Sequence, residues 1–314
     1  MSSVTIRHLR YFDALAREGH FGRAAEACAI SQPALSVQIR ELETLLGATL
    51  VERGGRRIAL TPLGAAVAAR AGDILRAVDE LGDLARAGAG ALTGELRLGL
   101  IPTIAPYLFP AIFSQAARDM PGLDLRPREA ITRRLVDDLR AGRLDVAIVA
   151  LPISEPSLAE HALFEEEFVL ARRAADGAEP APGPEQLARM RLLLLEEGHC
   201  FREQALSFCN LSPTPPRDLI EGGSLSTLAQ MVGAGIGVTL LPAMAVALET
   251  RSSAIAVTPL SDPAPKRRVG MIWRAGSPLA GHFLRLADLV RAAAGQGDRN
   301  PVHARLAGRE AARL

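Results

Sequence analysis

The chain has little cysteine, almost no net charge and no long apolar run. Its three cysteines are too few for the disulfide framework of a secreted domain, so any disulfide is expected to be transient. A formal net charge of +1 gives no general attraction for nucleic acid, and a DNA-binding function must rest on a motif. No signal peptide opens the sequence and no run of about 18 apolar residues occurs, which predicts a cytoplasmic protein without a membrane partner.

The first fifty residues have the pattern of a helix-turn-helix. Apolar residues at helical spacing predict one helix up to Gly19, a short second helix, and a third helix that Ser31 caps and Gly47 ends. The third helix exposes polar side chains near its start, which can contact base edges in the major groove. These side chains are Gln32, Ser36, Gln38 and Arg40.

A short hairpin and a long helix follow. The Gly54-Gly55 pair predicts the turn of a β-hairpin wing, whose arginines, Arg53 among them, suit DNA phosphates. Thr61 then caps a helix predicted over residues 62–87. Its apolar residues follow a heptad seam, which predicts a dimerising linker. The seam consists of Val67, Ala71, Ile74, Val78, Leu81 and Ala85.

From residue 95 onward strands and helices alternate, which predicts an α/β fold with a parallel sheet covered on both faces. At 314 residues the chain is long enough for two or three domains. Ligands in such folds bind beyond the carboxyl ends of strands, beside helix N-termini. Thr103 and Thr132 lie at two such points, where threonine serves equally often as a helix cap.

Cys200 and Cys209 flank a run of good helix formers. A helix would place the two thiols on opposite faces and about 13 Å apart, whereas a disulfide needs Cα atoms within about 7 Å. The segment therefore carries two unrelated cysteines or must unfold before they join. Cys200 follows His199 at the start of the predicted helix, and the helix N-terminus and Arg202 would both favour its thiolate.

The residues around Cys200 leave its role open. A zinc site would need a second pair of ligands at the usual spacing. The sequence has no such pair, so no metal site is predicted. A cysteine hydrolase would need a base within reach and a third residue to orient it, and neither is evident. Two interpretations of Cys200 stay open, a redox-active thiol and a buried inert cysteine.

The segment FGRAAEACAISQPALSVQIRELETLLGATLVERGGRRIALTPLG resembles the N-terminal domain of LysR-type transcriptional regulators. The resemblance implies a winged helix-turn-helix, followed by a two-lobed α/β regulatory domain similar to periplasmic solute-binding proteins. It assigns Gln32, Pro33, Ser36 and Arg40 to the DNA face and Arg53 to the DNA backbone. The expected boundaries are 1–61 for the DNA-binding domain, 62–87 for the linker helix, 88–94 for a hinge, 95–167 and 267–295 for one lobe, 168–266 for the other, and 296–314 for a tail.

The stretches LLLLEEGHCFREQALSFC, SLSTLAQMVGAGIGVTLLPAMAV and PAPKRRVGMIWRAGSP resemble the peroxide-sensing members of the LysR type. This resemblance implies that Cys200 is the peroxidatic cysteine and Cys209 the resolving one. It places Thr103, Thr132 and His199 around the peroxide, with Arg267 near the reactive thiol. Glu203 stands where these regulators usually have aspartate, which alters the geometry of proton transfer.

The expected function is that of a DNA-binding transcription activator, not an enzyme, which hydrogen peroxide switches through a reversible disulfide. The resemblance implies no cofactor. Its partners would be double-stranded DNA, hydrogen peroxide, RNA polymerase, further copies of the chain in a dimer of dimers, and thioredoxin or glutaredoxin as reductant. The alternatives are a LysR-type regulator of a small organic effector with incidental cysteines, and a stand-alone thiol peroxidase, which would have no use for the winged helix.

Overall fold

The computed structural model describes residues 3–52, 58–88, 90, 92–178, 180, 182–187, 189–208, 220–260 and 264–297. The chain divides into two compact units, Met1–Ala85 and Arg86–Leu314. No helix of the described residues is both long and apolar enough to cross a membrane. The first unit contains α1 Ile6–Glu18, α2 Phe21–Ala27, α3 Gln32–Leu46, β1 Val51–Glu52, β2 Ala59–Leu60 and most of α4 Pro62–Ala87.

The helix boundaries of the first unit follow from the capping residues that the sequence predicts. Ser31 Oγ accepts the backbone N–H of Ala34 at 3.3 Å, and Gly47 ends α3 in the left-handed region at φ +62°. Leu35, Ile39 and Leu42 of α3 are fully buried in the core of the unit. The opposite, polar face of α3 is therefore left at the surface.

The predicted wing is present as an antiparallel pair in which Val51 lies opposite Leu60. Its predicted Gly54-Gly55 turn and Arg53 lie outside the described residues. The linker helix α4 has the predicted bounds, and Thr61 Oγ1 accepts the backbone N–H of Gly64 at 2.9 Å.

The second unit holds the remaining strands and helices of the described residues. They are β3 Gly94–Leu100, α5 Ala105–Asp119, β4 Leu123–Glu129, α6 Thr132–Arg140, β5 Val146–Leu151, β6 Leu158–Arg173, α7 Pro184–Leu187, β7 Leu193–Leu195, α8 Cys200–Phe208, β8 Ile220–Gly222, α9 Leu225–Gly233, β9 Thr239–Pro242, α10 Val246–Ser252, β10 Ile255–Pro259, β11 Lys266–Arg274 and α11 Ala280–Gly297.

The main sheet is mixed, so the predicted parallel sheet is only partly correct. Its strand order is β10-β6-β11-β5-β3-β4, with β9 also paired to β6, and β7 and β8 form a small parallel sheet. Strand β3 is parallel to β4 and β5, whereas β11 is antiparallel to β5 and β6. The direction reverses at β11, which returns from the far end of the chain and lies between β5 and β6.

The longest strand of the described residues is β6, which spans sixteen residues. Glu165 and Glu167 point to solvent, whereas Glu166 between them is buried. Leu163 packs into one apolar core of the unit, whereas Phe168 packs into a second core. A single continuous strand therefore joins the two halves of this unit. The middle residues of β6, between its two apolar stretches, lie where the two halves meet.

Candidate functional site

The side chain of Arg267, on β11, is fully buried and is fixed from two sides. Its Nε donates a hydrogen bond to Glu166 Oε2 at 2.7 Å, and Nη2 lies 2.7 Å from the same oxygen. Nη1 donates to the Thr103 hydroxyl at 2.8 Å, and Nη2 also donates to the Thr103 carbonyl oxygen at 3.1 Å. The guanidinium thereby connects the turn after β3 to strand β6.

Strand register determines which basic residue turns inward. Arg267 lies directly opposite Glu166, and its neighbour Lys266 lies opposite Glu167. Since successive side chains of a strand point to opposite faces, the first pair is buried and the second is exposed. Lys266 Nζ accordingly reaches Glu167 Oε1 at 3.2 Å on the surface.

The first turn of α8 packs directly on Arg267. Gly198 precedes the helix at φ +94°, a conformation that residues with a side chain rarely adopt. The Phe201 ring is buried, meets the Phe168 ring edge-on at 4.9 Å, and lies 5.9 Å from the Arg267 guanidinium carbon. This packing holds the start of α8, and with it Cys200, beside the buried arginine.

Cys200 is a free, half-buried thiol in the structure. Burial raises its pKa above the usual 9.0, and the charge of Glu203 adds slightly to this increase. Arg267, the Thr132 hydroxyl and the backbone N–H of Phe201 lower the pKa but do not cancel the effect of burial. The resting group is therefore a protonated thiol at neutral pH, in surroundings that already contain groups able to stabilise its thiolate.

Neither threonine of the site serves as a helix cap. The residues at the cap positions are Ile104 for α5 and Ile131 for α6, and neither makes a side-chain capping bond. Thr103 accepts a hydrogen bond from Arg267, which leaves its own hydroxyl proton free to be donated. Thr132 Oγ1 is buried and has no hydrogen-bond partner among the described nitrogen and oxygen atoms, yet it lies near enough to Cys200 to lower the pKa of the thiol.

Arg202 does not act on the thiol, and the prediction that it favours the thiolate is wrong. Its Nη1 donates to the Leu195 carbonyl oxygen at 2.9 Å and to Glu221 Oε1 at 2.6 Å, so its charge faces the small sheet. The helical rotation of about 200° between positions 200 and 202 carries the side chain away from Cys200. Arg267, distant in sequence, is the cation beside the thiol.

The remaining residues predicted for the cysteine site are His199, Glu203 and Cys209. Burial lowers the pKa of His199 below 6.5, against an opposing effect of Glu196, so the ring is neutral at pH 7. No contact among the described residues joins the His199 ring to the thiol. Glu203 is exposed one turn along α8 from Cys200 and acts on it only through its charge. Cys209 lies outside the described residues.

The predicted DNA face lies on α3 in the first unit. Gln32, Pro33 and Arg40 are exposed and Ser36 is half-buried, whereas Leu35, Ile39 and Leu42 form the buried stripe of the helix. Arg40 Nε donates to the Ser36 carbonyl oxygen at 3.3 Å, which orients its side chain along the helix.

Two residues that shape the cysteine site, Glu166 and Phe201, cannot be assigned to it from sequence patterns alone. Glu166 is the middle residue of three consecutive glutamates, and only the strand register shows which of them faces inward. Phe201 lies within the run of helix formers after Cys200, and an aromatic residue directly after the cysteine is the one sequence signal of close packing there.

Comparison with known protein families matches both units. Residues 6–65 match the bacterial regulatory helix-turn-helix proteins of the lysR family, and residues 89–295 match the LysR substrate binding domain.

Individual relatives match the chain over nearly its whole length. The chain is 39% identical over 292 residues to the DNA-binding transcriptional dual regulator OxyR of Escherichia coli, covering 92% of this chain and 95% of the relative. A full-length OxyR variant from Pseudomonas aeruginosa is 40% identical with a TM-score of 0.75, covering 93% of this chain and 96% of that one. A hydrogen-peroxide-bound OxyR variant from Corynebacterium glutamicum is 33% identical with a TM-score of 0.65, covering 94% of both chains.

The raised pKa of Cys200 predicts how fast an alkylating reagent attacks it. Only the thiolate reacts, so alkylation by iodoacetamide should accelerate about tenfold per pH unit between about pH 7 and 8.5. Arg267→Met should slow the reaction at every pH because it removes the nearby cation, whereas Arg202→Met should leave the rate unchanged. Mass spectrometry of the peptide that contains Cys200 gives these rates, and a plateau below about pH 8 would contradict a raised pKa.

Proposed function

The chain belongs to the LysR family of bacterial helix-turn-helix regulators, and we propose that hydrogen peroxide switches it through oxidation of Cys200 and a disulfide with Cys209. Its kinship with OxyR proteins makes it a peroxide-sensing regulator of transcription. The proposal adds the residues that perform the chemistry: Cys200 as the group that peroxide oxidises, and Thr103, Thr132 and Arg267 as the groups that hold peroxide beside it. The single observation that carries it is the half-buried Cys200 at a helix start, beside a buried arginine and the buried Thr132 hydroxyl.

The surroundings of Cys200 suit a small polar oxidant. The sulfur attacks one peroxide oxygen, the O–O bond breaks, and the departing oxygen takes up the thiol proton and leaves as water. Sulfur loses two electrons and becomes a sulfenic acid. The hydroxyls of Thr103 and Thr132 can donate to and accept from peroxide, while Arg267 stabilises the negative charge that develops during proton transfer. Neutral His199 and Glu203 border the entrance in this proposal.

Helix α8 cannot remain intact when the disulfide forms. Over the nine residues Cys200–Phe208, an α-helix separates the first and last Cα atoms by about 12 Å. Cys209 follows at one Cα spacing of about 3.8 Å, so the two cysteine Cα atoms stay at least about 8 Å apart. Because a disulfide needs about 7 Å or less, at least the last turn of α8 must open.

Opening α8 links oxidation to a change of shape. The Cys209 thiol attacks the sulfenic sulfur, the S–S bond forms, and the hydroxyl leaves as water with the Cys209 proton. The buried side chains Ala205 and Leu206 must repack. Each 1.4 kcal/mol of packing lost raises the disulfide potential by about 30 mV, which favours later reduction by thioredoxin or glutaredoxin in a reducing cytoplasm.

The linker helix α4 would carry this change to DNA. Of its seam, Ala71 is buried, whereas Ile74 is 40% and Leu81 65% exposed. Apolar residues at heptad spacing that stay exposed in one chain suit a seam shared with a second copy. We propose a dimer through α4 and a dimer of such dimers on double-stranded DNA, where the shifted subunits would meet RNA polymerase differently.

Cysteine variants separate the steps of this proposal. Cys200→Ser should lose the peroxide response, while Cys209→Ser should still oxidise at Cys200 but stop at a sulfenic or more oxidised acid. Mass spectrometry with free-thiol counting follows both proteins, and Cys28→Ser serves as a control that keeps the wild-type response. Modification of Cys209 or Cys28 before Cys200 would overturn the assignment. A DNA-binding response to peroxide that persists in Cys200→Ser would do the same and would favour the alternative of a small-molecule effector.

Substitutions on α3 test the DNA face. Gln32→Ala or Ser36→Ala should weaken specific operator binding by about 1–3 kcal/mol and spare non-specific binding. Arg53→Ala should weaken both kinds of binding, since a phosphate contact carries no sequence information. Thr44→Ala, at the far end of the same helix, is the matched control. Unaltered operator footprints for Gln32→Ala and Ser36→Ala would rule out this face.

A charge in the α4 seam tests the proposed dimer. Leu81→Asp should release subunits from the assembly because it places a charge inside an apolar contact. Ala77→Asp adds the same charge at an exposed position off the seam and should leave the assembly unchanged. Sedimentation velocity measures both, and a Leu81→Asp protein with the sedimentation coefficient of the wild type would exclude α4 as the dimer contact.

A further inference from the structure

Three consecutive glutamates of β6 have different surroundings. Glu165 and Glu167 are exposed, and Glu167 pairs with Lys266 on the surface at 3.2 Å. Glu166, between them, is 6% exposed and pairs with Arg267, whose side chain has no exposure. The two cross-strand pairs are neighbours in one register, which makes the exposed pair an internal reference for the buried one.

Both carboxylate oxygens of Glu166 are engaged, which prevents the group from rotating. Oε2 lies 2.7 Å from Nε and 2.7 Å from Nη2 of Arg267, while Oε1 accepts the backbone N–H of Met244 at 2.8 Å. Thr103 binds the guanidinium at Nη1 and Nη2. Glu166 and Thr103 together therefore fix both the position and the plane of Arg267.

The groups that act on the Cys200 thiol come from three elements. Arg267 of β11 and Glu203 of α8 act through their charges, and Thr132 of α6 acts through its hydroxyl. The adjacent His199 ring is neutral at pH 7. Glu166 is not one of the groups that act directly on the thiol; its route to Cys200 runs through Arg267, whose positive charge it offsets at 2.7 Å.

We propose that Glu166 is a positioning residue for the reaction at Cys200, which it governs by fixing the Arg267 guanidinium and offsetting its charge. This inference rests on the proposed peroxide chemistry of Cys200. It adds the group that weakens the effect of the Arg267 charge on the thiol. An Arg267 without a counter-charge would act on the sulfur with its full charge and favour the thiolate. With Glu166 present, the proton stays on Cys200 until peroxide binds, and it then moves to the departing oxygen as the S–O bond forms.

The test is a titration of Cys200 in the full-length protein, in a Cys28→Ala, Cys209→Ser background where no other thiol contributes. Thiolate absorbance at 240 nm reports the pKa. Glu166→Gln should lower the pKa of Cys200 by about one unit, since it leaves an opposite charge nearby without a counter-charge. Glu166→Asp, which keeps the carboxylate, should move the pKa back toward that of the parent protein. Glu167→Gln removes a neighbouring exposed carboxylate and should leave the pKa unchanged.

Peroxide kinetics supply a second readout. A pKa lower by about one unit gives about tenfold more thiolate near pH 7, and a nucleophile about threefold weaker, so Glu166→Gln should form sulfenic acid about threefold faster. Above both pKa values the order should reverse, because only the weaker nucleophilicity remains. A glutamate with a merely structural role would slow the reaction at every pH and would not produce this crossing.

Arg267→Met and the double variant Glu166→Gln, Arg267→Met show whether the effect runs through the arginine. The two should have the same Cys200 pKa, and replacing both members of the pair also avoids a lone buried charge if a single variant folds poorly. An equal fall in pKa with and without Arg267 would overturn the proposal, as would an unchanged or raised pKa in a folded Glu166→Gln protein. Failure of the parent protein to form sulfenic acid at Cys200 would instead refute the proposed function, because the titration requires no peroxide.

Discussion

A guanidinium group shut off from solvent must have its charge and its N–H groups paired, and the burial of Arg267 imposes this requirement on the regulatory unit. The turn at Thr103, the middle of β6 at Glu166 and the first turn of α8 at Phe201 all meet at this one side chain. Breaking such a pair by removing one partner typically costs about 3–5 kcal/mol. The arginine thus fixes where the two halves of the unit meet and where the reactive thiol lies.

The thiol at this junction is poised between two opposing effects. Burial favours the neutral form of Cys200, while Arg267, Thr132 and the helix N-terminus favour its anion. A protonated resting thiol reacts slowly with most electrophiles. A ligand that lies among the hydroxyls of Thr103 and Thr132, and that can both donate and accept protons, can take up the thiol proton as the reaction proceeds. Selectivity for peroxide would then come from where the proton moves during the reaction and not from a permanently ionised sulfur.

Local signals in the sequence predicted local structure well. The caps at Ser31 and Thr61 and the run of helix formers after Cys200 identified α3, α4 and α8, because the contacts that define these helices lie within a few residues. Strand β6 and the antiparallel position of β11 were missed, since their pairing joins residues about 100 apart. The same separation explains why local spacing points to Arg202 as a cation near the thiol, whereas only the resemblance to peroxide sensors indicates Arg267.

We propose that disulfide formation at Cys200 and opening of α8 are one event, because an intact helix keeps Cys209 too far away. Hydrogen exchange of residues 200–208 distinguishes the reduced protein from the protein with a verified Cys200–Cys209 disulfide. We expect amide protection in at least the last turn of α8 to be lost or redistributed when the disulfide forms. Full protection of that turn in the disulfide form would contradict it and would place the switch elsewhere in the chain.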